Sequence, residues 1–436
     1  MNQRQLLSVV LVPLLSLALF AGCEQGESGE PVDLVQGSIS YEARFASKDG
    51  AAIVLSNVST IPAQFLLTFL YDAEGNLLGA TYTDEKGEFE IQSSRYLEGG
   101  EFVLFTTVFL PDGEADPVVG VLNPTQGGDP YNGKFKPWTW KFDVPSSGKV
   151  GDKKVTESQG SGALFLYLFN VFAYLELSSN LINNDFSKVN SLAILWAPGI
   201  SWSCGACYWQ SGSQKMGETQ FDQSIFIGGE PDGSSAWGWA VTLHEFGHFA
   251  AQNYSRDDST GGPHNLGTTI APAFAWSEGW ASFFAASTIS RWIEQPLPLY
   301  WDIQGGSSFW VDYGSAKCAS GGQMKSDIPI APDPQGDIFQ DLDENWVATM
   351  LWHIWDGSDL PEDSSEGDYA AVGIAAIFRA ISSNRFMNFN RGAEGADFVD
   401  FLDAVICANK SIATDIQETA FSYLGFPYTF DDNYCP

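Results

Sequence analysis

The hydrophobic pattern of this chain changes, part-way along its length, from the period of a strand to the period of a helix. From about residue 35 to 145, short apolar segments alternate with the turns Asp72–Gly75 and Asp84–Gly87, the second followed by the alternating Glu88–Ile91. Short strands with a Gly/Asp turn about every ten residues predict an antiparallel β-sandwich. Beyond residue 236 the apolar positions recur at helical spacing. The helices that this spacing predicts are 236–253, 272–291, 344–355, 368–383, 396–408 and 411–424. The expected fold is multidomain, with an N-terminal antiparallel β-sandwich followed by an α+β, mainly helical domain.

Composition places the boundary between the two patterns. The stretch 145–161 is rich in Gly, Ser and Lys and begins with Pro145, and residues 146–161 are predicted to form a linker. This linker would separate a β-sandwich accessory domain at 35–145 from a second domain at 162–436. The second domain opens with the apolar stretch 162–177, which is expected to be a buried helix because it is too short to cross a bilayer comfortably. Residues 191–196 are expected to form a strand.

The first residues predict export. An apolar run from Leu6 to Phe20 ends in Ala-Gly-Cys at Cys23. An apolar core of this length is typical of a secretory signal peptide rather than a spanning helix. The Ala-Gly-Cys ending resembles the lipobox of bacterial lipoproteins, which implies removal of residues 1–22 and acylation of the Cys23 thiol. Cleavage of a plain signal peptide nearby is the alternative. Residues 23–34 would then be a flexible tether, and the protein is expected at the outer membrane or cell surface.

Export also changes the expectation for the other five cysteines, because thiols outside the cytoplasm tend to pair. Cys204 and Cys207 have CxxC spacing, and without a second CxxC a local disulfide is favoured over a zinc site. A bond between Cys407 and Cys435 would pin the C-terminal tail. Cys318 would then be left over, although it could instead pair with Cys204 or Cys207.

The charge of the chain excludes one class of partner. The formal net charge is −33, from 21 basic and 54 acidic residues. Such a chain repels nucleic acid and anionic lipid, so no nucleic-acid partner is expected and the membrane is reached only through the lipid anchor. Solubility explains most of this acidity. Calcium binding is the minor alternative, and Asp333–Glu344 is the best place for it, although this segment lacks EF-hand spacing.

The stretch Val241–Phe249, VTLHEFGHF, holds two of the four histidines in the chain. At about 100° per residue, His244 and His248 lie about 40° apart on a helix, so both imidazoles can reach one ion at zinc–nitrogen distances of about 2.0–2.1 Å. Glu245 is rotated by about 100° from His244, where it can take a proton from a water on the metal. The absent side chain of Gly247 lets another element approach this helix closely. The HExxH spacing therefore predicts a catalytic zinc site.

A catalytic zinc usually has three protein ligands and one open position. The metzincin pattern would place a glycine at 251 and a histidine at 254, where this chain has Ala251 and Tyr254. The other candidate is Glu278, a lone carboxylate in the apolar helical stretch 275–284. A buried carboxylate without a partner is costly, so Glu278 is expected to bind the metal, or else to form a salt bridge or cap a helix.

HEFGH followed about thirty residues later by SEGWASFFA resembles the gluzincin family of zinc metallopeptidases. The resemblance implies that His244, His248 and Glu278 are ligands of one catalytic zinc ion. It implies that Glu245 is the general base. Gluzincins often have an aspartate four residues after the ligand glutamate, where it orients a ligand histidine, and this chain has Ser282 there.

The resemblance also implies fold. It gives residues 162–436 a zincin-like metallopeptidase fold. The segment 79–91, GATYTDEKGEFEI, resembles the transthyretin-like, carboxypeptidase-regulatory-like sandwich, which is an accessory domain of many exported enzymes. No catalytic residue is implied by this second resemblance.

The remaining two histidines are open to two interpretations each. His264 lies in a loop between the two site helices, where it either packs the loop and faces solvent, or contacts substrate and supports the metal ligands. His353 lies on the aromatic helix 347–356. It is either a core residue or a catalytic group that stabilises the oxyanion, as a downstream histidine does in some gluzincins. The rival groups for that role are Asp356, Tyr254, Tyr300 and Tyr313.

These features predict zinc-dependent hydrolysis of peptide bonds in a peptide or protein substrate by an exported, lipid-anchored metallopeptidase. Strand 223–228 is expected to be the sheet edge on which an extended peptide lies, an assignment taken from the family resemblance. The alternative is a catalytically inactive, zincin-fold surface lipoprotein that binds protein or glycan, a role that the β-sandwich and 15 Trp would suit. The intact Glu245 favours the enzyme, because an inactive site has no need for a base.

Overall fold

The computed structural model of the protein describes residues 34–49, 52–111, 116–126, 135–181, 189–211, 214–216, 219–230, 233–264, 268–292, 299–304, 307–314, 317–318, 337–356, 369–424 and 426–436. The predicted signal peptide at 1–22, the lipid attachment at Cys23 and the tether up to residue 33 lie outside the described residues. So do residues 333–336 of the candidate calcium segment.

Contacts within the chain separate two compact units. The first contains most of the chain up to Trp239. The second contains Ala240–Pro436 together with Lys48–Ile53 and Ala173–Asn184. Strands dominate the first unit and helices the second, so the predicted order of N-terminal sheets followed by helices is confirmed.

Short strands dominate the chain up to Phe226. They are β1 (Leu34–Ala43), β2 (Ala46–Asp49), β3 (Ala52–Leu55), β4 (Ser59–Pro62), β5 (Leu67–Tyr71), β6 (Leu77–Tyr82), β7 (Glu88–Gln92), β8 (Phe102–Thr106), β9 (Val108–Phe109), β10 (Val119–Asn123), β11 (Lys136–Pro137), β12 (Thr139–Asp143), β13 (Lys149–Val155), β14 (Leu192–Leu195), β15 (Cys207–Trp209), β16 (Gln214–Met216), β17 (Thr219–Phe221) and β18 (Gln223–Phe226). Strand β1 pairs antiparallel with β4 and β7. Strands β12, β8, β5 and β6 form a second, antiparallel sheet. The rings of Phe89 on β7 and Phe105 on β8 lie 5.3 Å apart, edge to face, so side chains of the two sheets pack on each other.

The two predicted turns of this unit are confirmed. The Gly75 N–H donates to the Asp72 carbonyl at 3.1 Å, and the Gly87 N–H donates to the Asp84 carbonyl at 3.0 Å. Both glycines have a positive φ, 88° and 74°, which other residues rarely adopt. In β7 the predicted alternation places Phe89 inside and its neighbours outside.

The prediction of a linker at 146–161 is wrong. Residues Lys149–Val155 form β13, which pairs in parallel with β1. The Ser38 hydroxyl donates to Asp152 Oδ1 at 2.6 Å across this pairing. Val150 and Val155 are buried while charged side chains of the strand face outward, as at a protected sheet edge. The Lys and Gly content that suggested a linker is therefore the composition of an edge strand.

A third sheet joins strands from both sides of that predicted linker. Strand β10 pairs in parallel with β14, and β14 pairs in parallel with β18. The division of the chain at 146–161 is therefore not made by the structure. The expectation that strand 223–228 is a sheet edge is also wrong, because β18 lies between β14 and the antiparallel β15. The buried, uninterrupted apolar runs of β14 and β18 are typical of central parallel strands.

The predicted helix 368–383 is helical only over 374–381, and a short helix at 384–388 was not predicted. The other predicted helices agree with the structure to within three residues at each end, and eight α-helices lie in the described residues. They are α1 (Ser161–Asn180), α2 (Trp239–Tyr254), α3 (Pro272–Trp292), α4 (Glu344–Asp356), α5 (Ile374–Ile381), α6 (Asn384–Asn388), α7 (Phe398–Ala408) and α8 (Ala413–Leu424). The region predicted to be mainly helical also contains strands. They are β19 (Thr269–Ile270), β20 (Leu299–Gln304), β21 (Ser307–Asp312), β22 (Lys317–Cys318) and β23 (Leu342–Asp343). Strands β20 and β21 form a hairpin.

Within the described residues, α1 is the helix whose length and composition would allow it to cross a membrane, and its apolar window is buried inside the protein. Two of its polar residues have partners inside the protein. The Asn170 amide donates to the Leu166 carbonyl at 2.8 Å, and Glu176 pairs with Arg291 of α3. These contacts fit the expected buried helix.

Both favoured disulfides are confirmed. Cys204 is bonded to Cys207, and Cys407 is bonded to Cys435. These bonds exclude the alternative pairings of Cys318 with Cys204 or Cys207. The second bond attaches the segment after α8 to the end of α7.

Candidate metal centre

Two helices of the second unit bring the three predicted metal ligands together. Helix α2 carries His244 and His248, and α3 carries Glu278. The two histidine Nε2 atoms lie 3.1 Å apart. Glu278 Oε2 lies 3.1 Å from the first and 3.2 Å from the second. Three atoms bound at about 2.0–2.1 Å to one tetrahedral zinc ion would lie about 3.3–3.4 Å apart, so this triangle has the size of a zinc site.

The close approach of the two helices depends on a glycine. A Cβ atom at Gly247 would lie 2.6 Å from the Ala281 Cα and 3.0 Å from the Ala281 carbonyl oxygen. The Trp280 indole N–H donates to the Gly247 carbonyl at 3.1 Å and fastens the same crossing. The expectation that Gly247 admits another element is confirmed.

The two histidines of the triangle are oriented through their second ring nitrogens. With Nε2 turned to the ligand triangle, His244 Nδ1–H donates to the Ser282 hydroxyl at 3.0 Å. His248 Nδ1–H points to the Ser277 hydroxyl at 3.4 Å, and that hydroxyl donates to Asp257 Oδ2 at 3.0 Å. Ser282 therefore orients His244, and the Asp257 carboxylate reaches His248 through Ser277.

The electrostatics of the three ligands are mutually dependent. Burial disfavours the Glu278 carboxylate, but the charge and hydrogen bonds of the two histidines outweigh burial and hold its pKa well below the usual range. Burial also disfavours protonated His248, but the attraction of Glu278 outweighs it and raises the pKa of His248 to about 9. For His244 burial dominates and lowers the pKa. At neutral pH the metal-free site therefore holds a proton on His248.

Zinc binding is expected to release that proton. Because a ligand histidine must be neutral, and the pKa of His248 is about 9, one equivalent of zinc should release about one proton at pH 7. The apparent zinc affinity should rise about tenfold per pH unit from pH 7 towards 9 and then level off. Calorimetric titration in buffers of different ionisation enthalpy measures the proton count. Release of no proton at pH 7 would contradict the assignment.

Glu245 is buried beside the ligands, with 8% of its surface exposed. Its charge adds to the raised pKa of His248. It also acts on Tyr300, whose pKa is raised mainly by burial and further by the charges of Asp302 and Glu245. The Tyr300 ring lies 5.5 Å from the His244 ring. A carboxylate and a neutral phenol therefore flank the ligand triangle.

Among the described residues, His353 is not one of the convergent metal-ligand groups. It lies on α4 with 2% of its surface exposed, and its Nε2–H donates to the Tyr313 carbonyl at 3.2 Å. Tyr254 packs on Phe249, with ring centroids 6.2 Å apart. The Asp356 side chain lies outside the described part of the structure.

His264 does converge on the site. Its Nε2 lies 3.5 Å from Glu278 Oε2 and 3.2 Å from Glu344 Oε2. Burial, with the charges of Glu278 and Asp343, raises the pKa of Glu344 to about 8. Of the two interpretations of His264, contact with the metal ligands is therefore the one that the geometry matches.

The carboxylates of Asp337 and Asp343, in the candidate calcium segment, have different partners. Asp337 forms an ion pair with Arg391, and Asp343 caps α4 by accepting from the Asn345 N–H at 2.9 Å. Within the described residues 337–344, only Glu344 joins a group of convergent metal-ligand atoms. The group that it joins contains a histidine nitrogen, which suits transition metals better than calcium.

The sequence does not identify three residues that lie at the candidate site: Asp257, Ser277 and Glu344. Asp257 lies in the polar stretch 255–260, which has the composition of an ordinary surface loop. Ser277 precedes the ligand glutamate, and this position was the one available signal for it. Glu344 begins a predicted helix in an acidic segment, so its position at the site depends on packing alone.

A scan of protein-family models and a search of curated proteins both find no match for this chain.

Proposed function

We propose that the protein is a zinc-dependent metallopeptidase of the gluzincin type that hydrolyses peptide bonds. The observation that carries this proposal is the His244, His248 and Glu278 triangle, with Glu245 buried on the same helix as the two histidines. The donor set of two imidazoles and one carboxylate is the one that catalytic zinc ions use in several peptidases. A zincin-like fold for the helical unit belongs to the proposal, and so does a transthyretin-like sandwich for the N-terminal sheets.

A zinc ion held by these ligands would supply Lewis-acid chemistry, activating water and polarising a carbonyl group. Glu245 would take the proton of the attacking water and deliver it to the nitrogen of the leaving amine. Ser282 and Ser277 would keep the two imidazoles turned towards the ion. The buried surroundings of Glu245 strengthen its interaction with the reacting groups.

Tyr300 is the proposed donor to the developing oxyanion. It keeps its proton because its pKa is raised well above the usual value, and its ring lies 5.5 Å from the ring of the ligand His244. His353, another candidate donor in the sequence, donates its Nε2–H to a backbone carbonyl. A neutral phenol can donate to an oxyanion without titrating at physiological pH.

The proposal includes an exported, lipid-anchored location, supported by the apolar run and the Ala-Gly-Cys ending at Cys23. A peptide or protein outside the cytoplasm would be the substrate. The alternative, an inactive zincin-fold lipoprotein that binds protein or glycan, has no use for the intact Glu245.

Metal content and chelator-sensitive cleavage test the proposal. The purified protein should carry tightly bound zinc by mass spectrometry and cleave a casein-type substrate. Chelation should abolish cleavage and zinc should restore it, because three protein ligands hold the ion.

His244→Ala and His248→Ala should lose both zinc and activity, whereas Glu418→Gln, on the exposed side of α8, should keep both. Zinc in full occupancy in either histidine variant would refute the ligand assignment. A zinc-loaded protein that cleaves nothing would favour the binding alternative.

A further inference from the structure

A second group of ligand atoms adjoins the first and shares Glu278 with it. His264 Nε2, one oxygen of Glu278 and one oxygen of Glu344 all lie within 4.8 Å of one another. The histidine nitrogen lies 3.5 Å from Glu278 Oε2 and 3.2 Å from Glu344 Oε2. These values bracket the spacing of about 3.3–3.4 Å expected for ligands around one tetrahedral ion.

The tautomer of His264 exposes a lone pair to these carboxylates. Its Nδ1 lies 3.1 Å from the Gly262 carbonyl oxygen, which can only accept a hydrogen bond. Nδ1 therefore carries the ring proton, and in a neutral imidazole Nε2 is left with a free lone pair. That lone pair faces two carboxylate oxygens. Three electron-rich atoms at these distances need a cation or a proton between them.

Burial of the two carboxylates increases the need for a cation or a proton between these three atoms. The Glu278 and Glu344 side chains are each 7% exposed, and the His264 side chain is 26% exposed. Two buried carboxylates in proximity are costly unless a positive charge compensates them. Glu278 already faces His244 and His248 at 3.1 and 3.2 Å. A proton on His264 can be shared with one carboxylate at a time, whereas a metal ion contacts all three atoms.

A second glycine, Gly279, allows the helix that carries Glu344 to lie close to the helix that carries Glu278. A Cβ atom at Gly279 would lie 2.6 Å from the Glu344 carbonyl oxygen and 2.5 Å from Val347 Cβ. The absent side chain lets the first turn of α4 lie against α3 beside Glu278. The ring of His264 is held edge to face on Phe274, with centroids 5.3 Å apart. The helix contact at Gly279 and the Phe274 ring thus hold Glu344 and His264 beside Glu278.

We propose that His264, Glu278 and Glu344 bind a second divalent transition-metal ion, such as Zn²⁺ or Mn²⁺, next to the first, so that Glu278 is common to a two-metal centre. This proposal rests on the proposed function for the first ion, because the two sites share Glu278. One imidazole and two carboxylates are donors that suit these metals. In two-metal hydrolases the second ion helps to hold the substrate and to stabilise the developing charge.

Metal stoichiometry tests the second site. After removal of all metal, the protein should take up about two equivalents of Zn²⁺, and Glu344→Gln and His264→Ala should each take up about one. Asp341→Asn is the matched control, since Asp341 is an exposed carboxylate three residues before Glu344, and it should keep both ions. His264 lies in a loop and is partly exposed, so His264→Ala tests the site even if Glu344→Gln does not fold.

A spectroscopic readout separates this proposal from the first. With Co²⁺ in place of Zn²⁺, two ions that share Glu278 should couple magnetically and weaken the electron paramagnetic resonance signal per cobalt. Glu344→Gln should restore the signal of an isolated ion. Uptake of a single ion by the parent would overturn the second site and leave the proposed function intact, and a proton would then be the occupant. Two ions in both the parent and Glu344→Gln would also overturn it, and no bound metal at all would overturn the proposed function.

Discussion

Glu245→Gln is expected to lower kcat/KM for peptide hydrolysis by at least about 10²-fold while zinc stays bound. The substitution keeps the shape of the side chain but removes its basicity. A positioned general base is worth about 10²–10⁴-fold in rate, and a 10²-fold loss corresponds to about 2.7 kcal/mol of transition-state stabilisation. Glu245 is not in the ligand triangle, so the metal should stay. Cleavage rate, zinc content and melting temperature are the three measurements.

Two further glutamates define the controls for this experiment. Glu418→Gln makes the same chemical change at an exposed position of α8 and should leave rate and zinc unchanged. Glu278→Gln should lose zinc affinity together with activity, because an amide is a poor zinc ligand. We expect Glu245→Gln to lose activity but keep zinc. Glu278→Gln should lose both activity and zinc, and Glu418→Gln should lose neither. If Glu245→Gln cleaves as fast as the parent, Glu245 is not the base.

The centre of the candidate site could be predicted because three of its residues lie close together in the sequence. His244, Glu245 and His248 lie within two turns of one helix, and the geometry of that helix places the two imidazoles together. Glu278 could be predicted because a lone acid in an apolar helix needs a partner. The long helices were also recognisable, since apolar spacing reports directly on the buried face of a helix.

The outer part of the site could not be predicted, because packing between distant segments creates it. His264 and Glu344 are 80 residues apart in the sequence, and they meet only because Gly279 lets α4 lie against α3. Asp257 is linked to His248 through the Ser277 hydroxyl. Neither contact leaves a periodic or compositional signal. The same holds for the parallel pairing of β1 with β13, where the polar outer face of an edge strand has the composition of a linker.

Gly247→Ala is expected to destabilise the helical unit and weaken its metal site. The added Cβ would lie 2.6 Å from the Ala281 Cα and 3.0 Å from its carbonyl oxygen, and both are backbone atoms that cannot rotate away. Forcing extra volume into a packed contact typically costs about 1–3 kcal/mol. The helix bearing Glu278 must move away from the helix bearing the histidines. Zinc affinity should therefore fall about 10–100-fold, the range found when the supports of metal ligands are lost.

The direction of the stability change distinguishes the effect of the helix contact from the effect of helix propensity. Helix propensity alone favours alanine over glycine by about 0.8–1.0 kcal/mol, so without the close approach Gly247→Ala would stabilise the protein. A loss of stability therefore reports the helix contact itself. Urea unfolding of the metal-free protein measures this free energy separately from zinc binding, which adds its own stabilisation to the folded state. Loss of stability in the metal-free protein, together with weaker zinc binding in the folded protein, would show that the crossing at Gly247 holds Glu278 beside the two histidines. A metal-free variant as stable as the parent or more so would mean that α2 and α3 do not approach as closely as this contact requires.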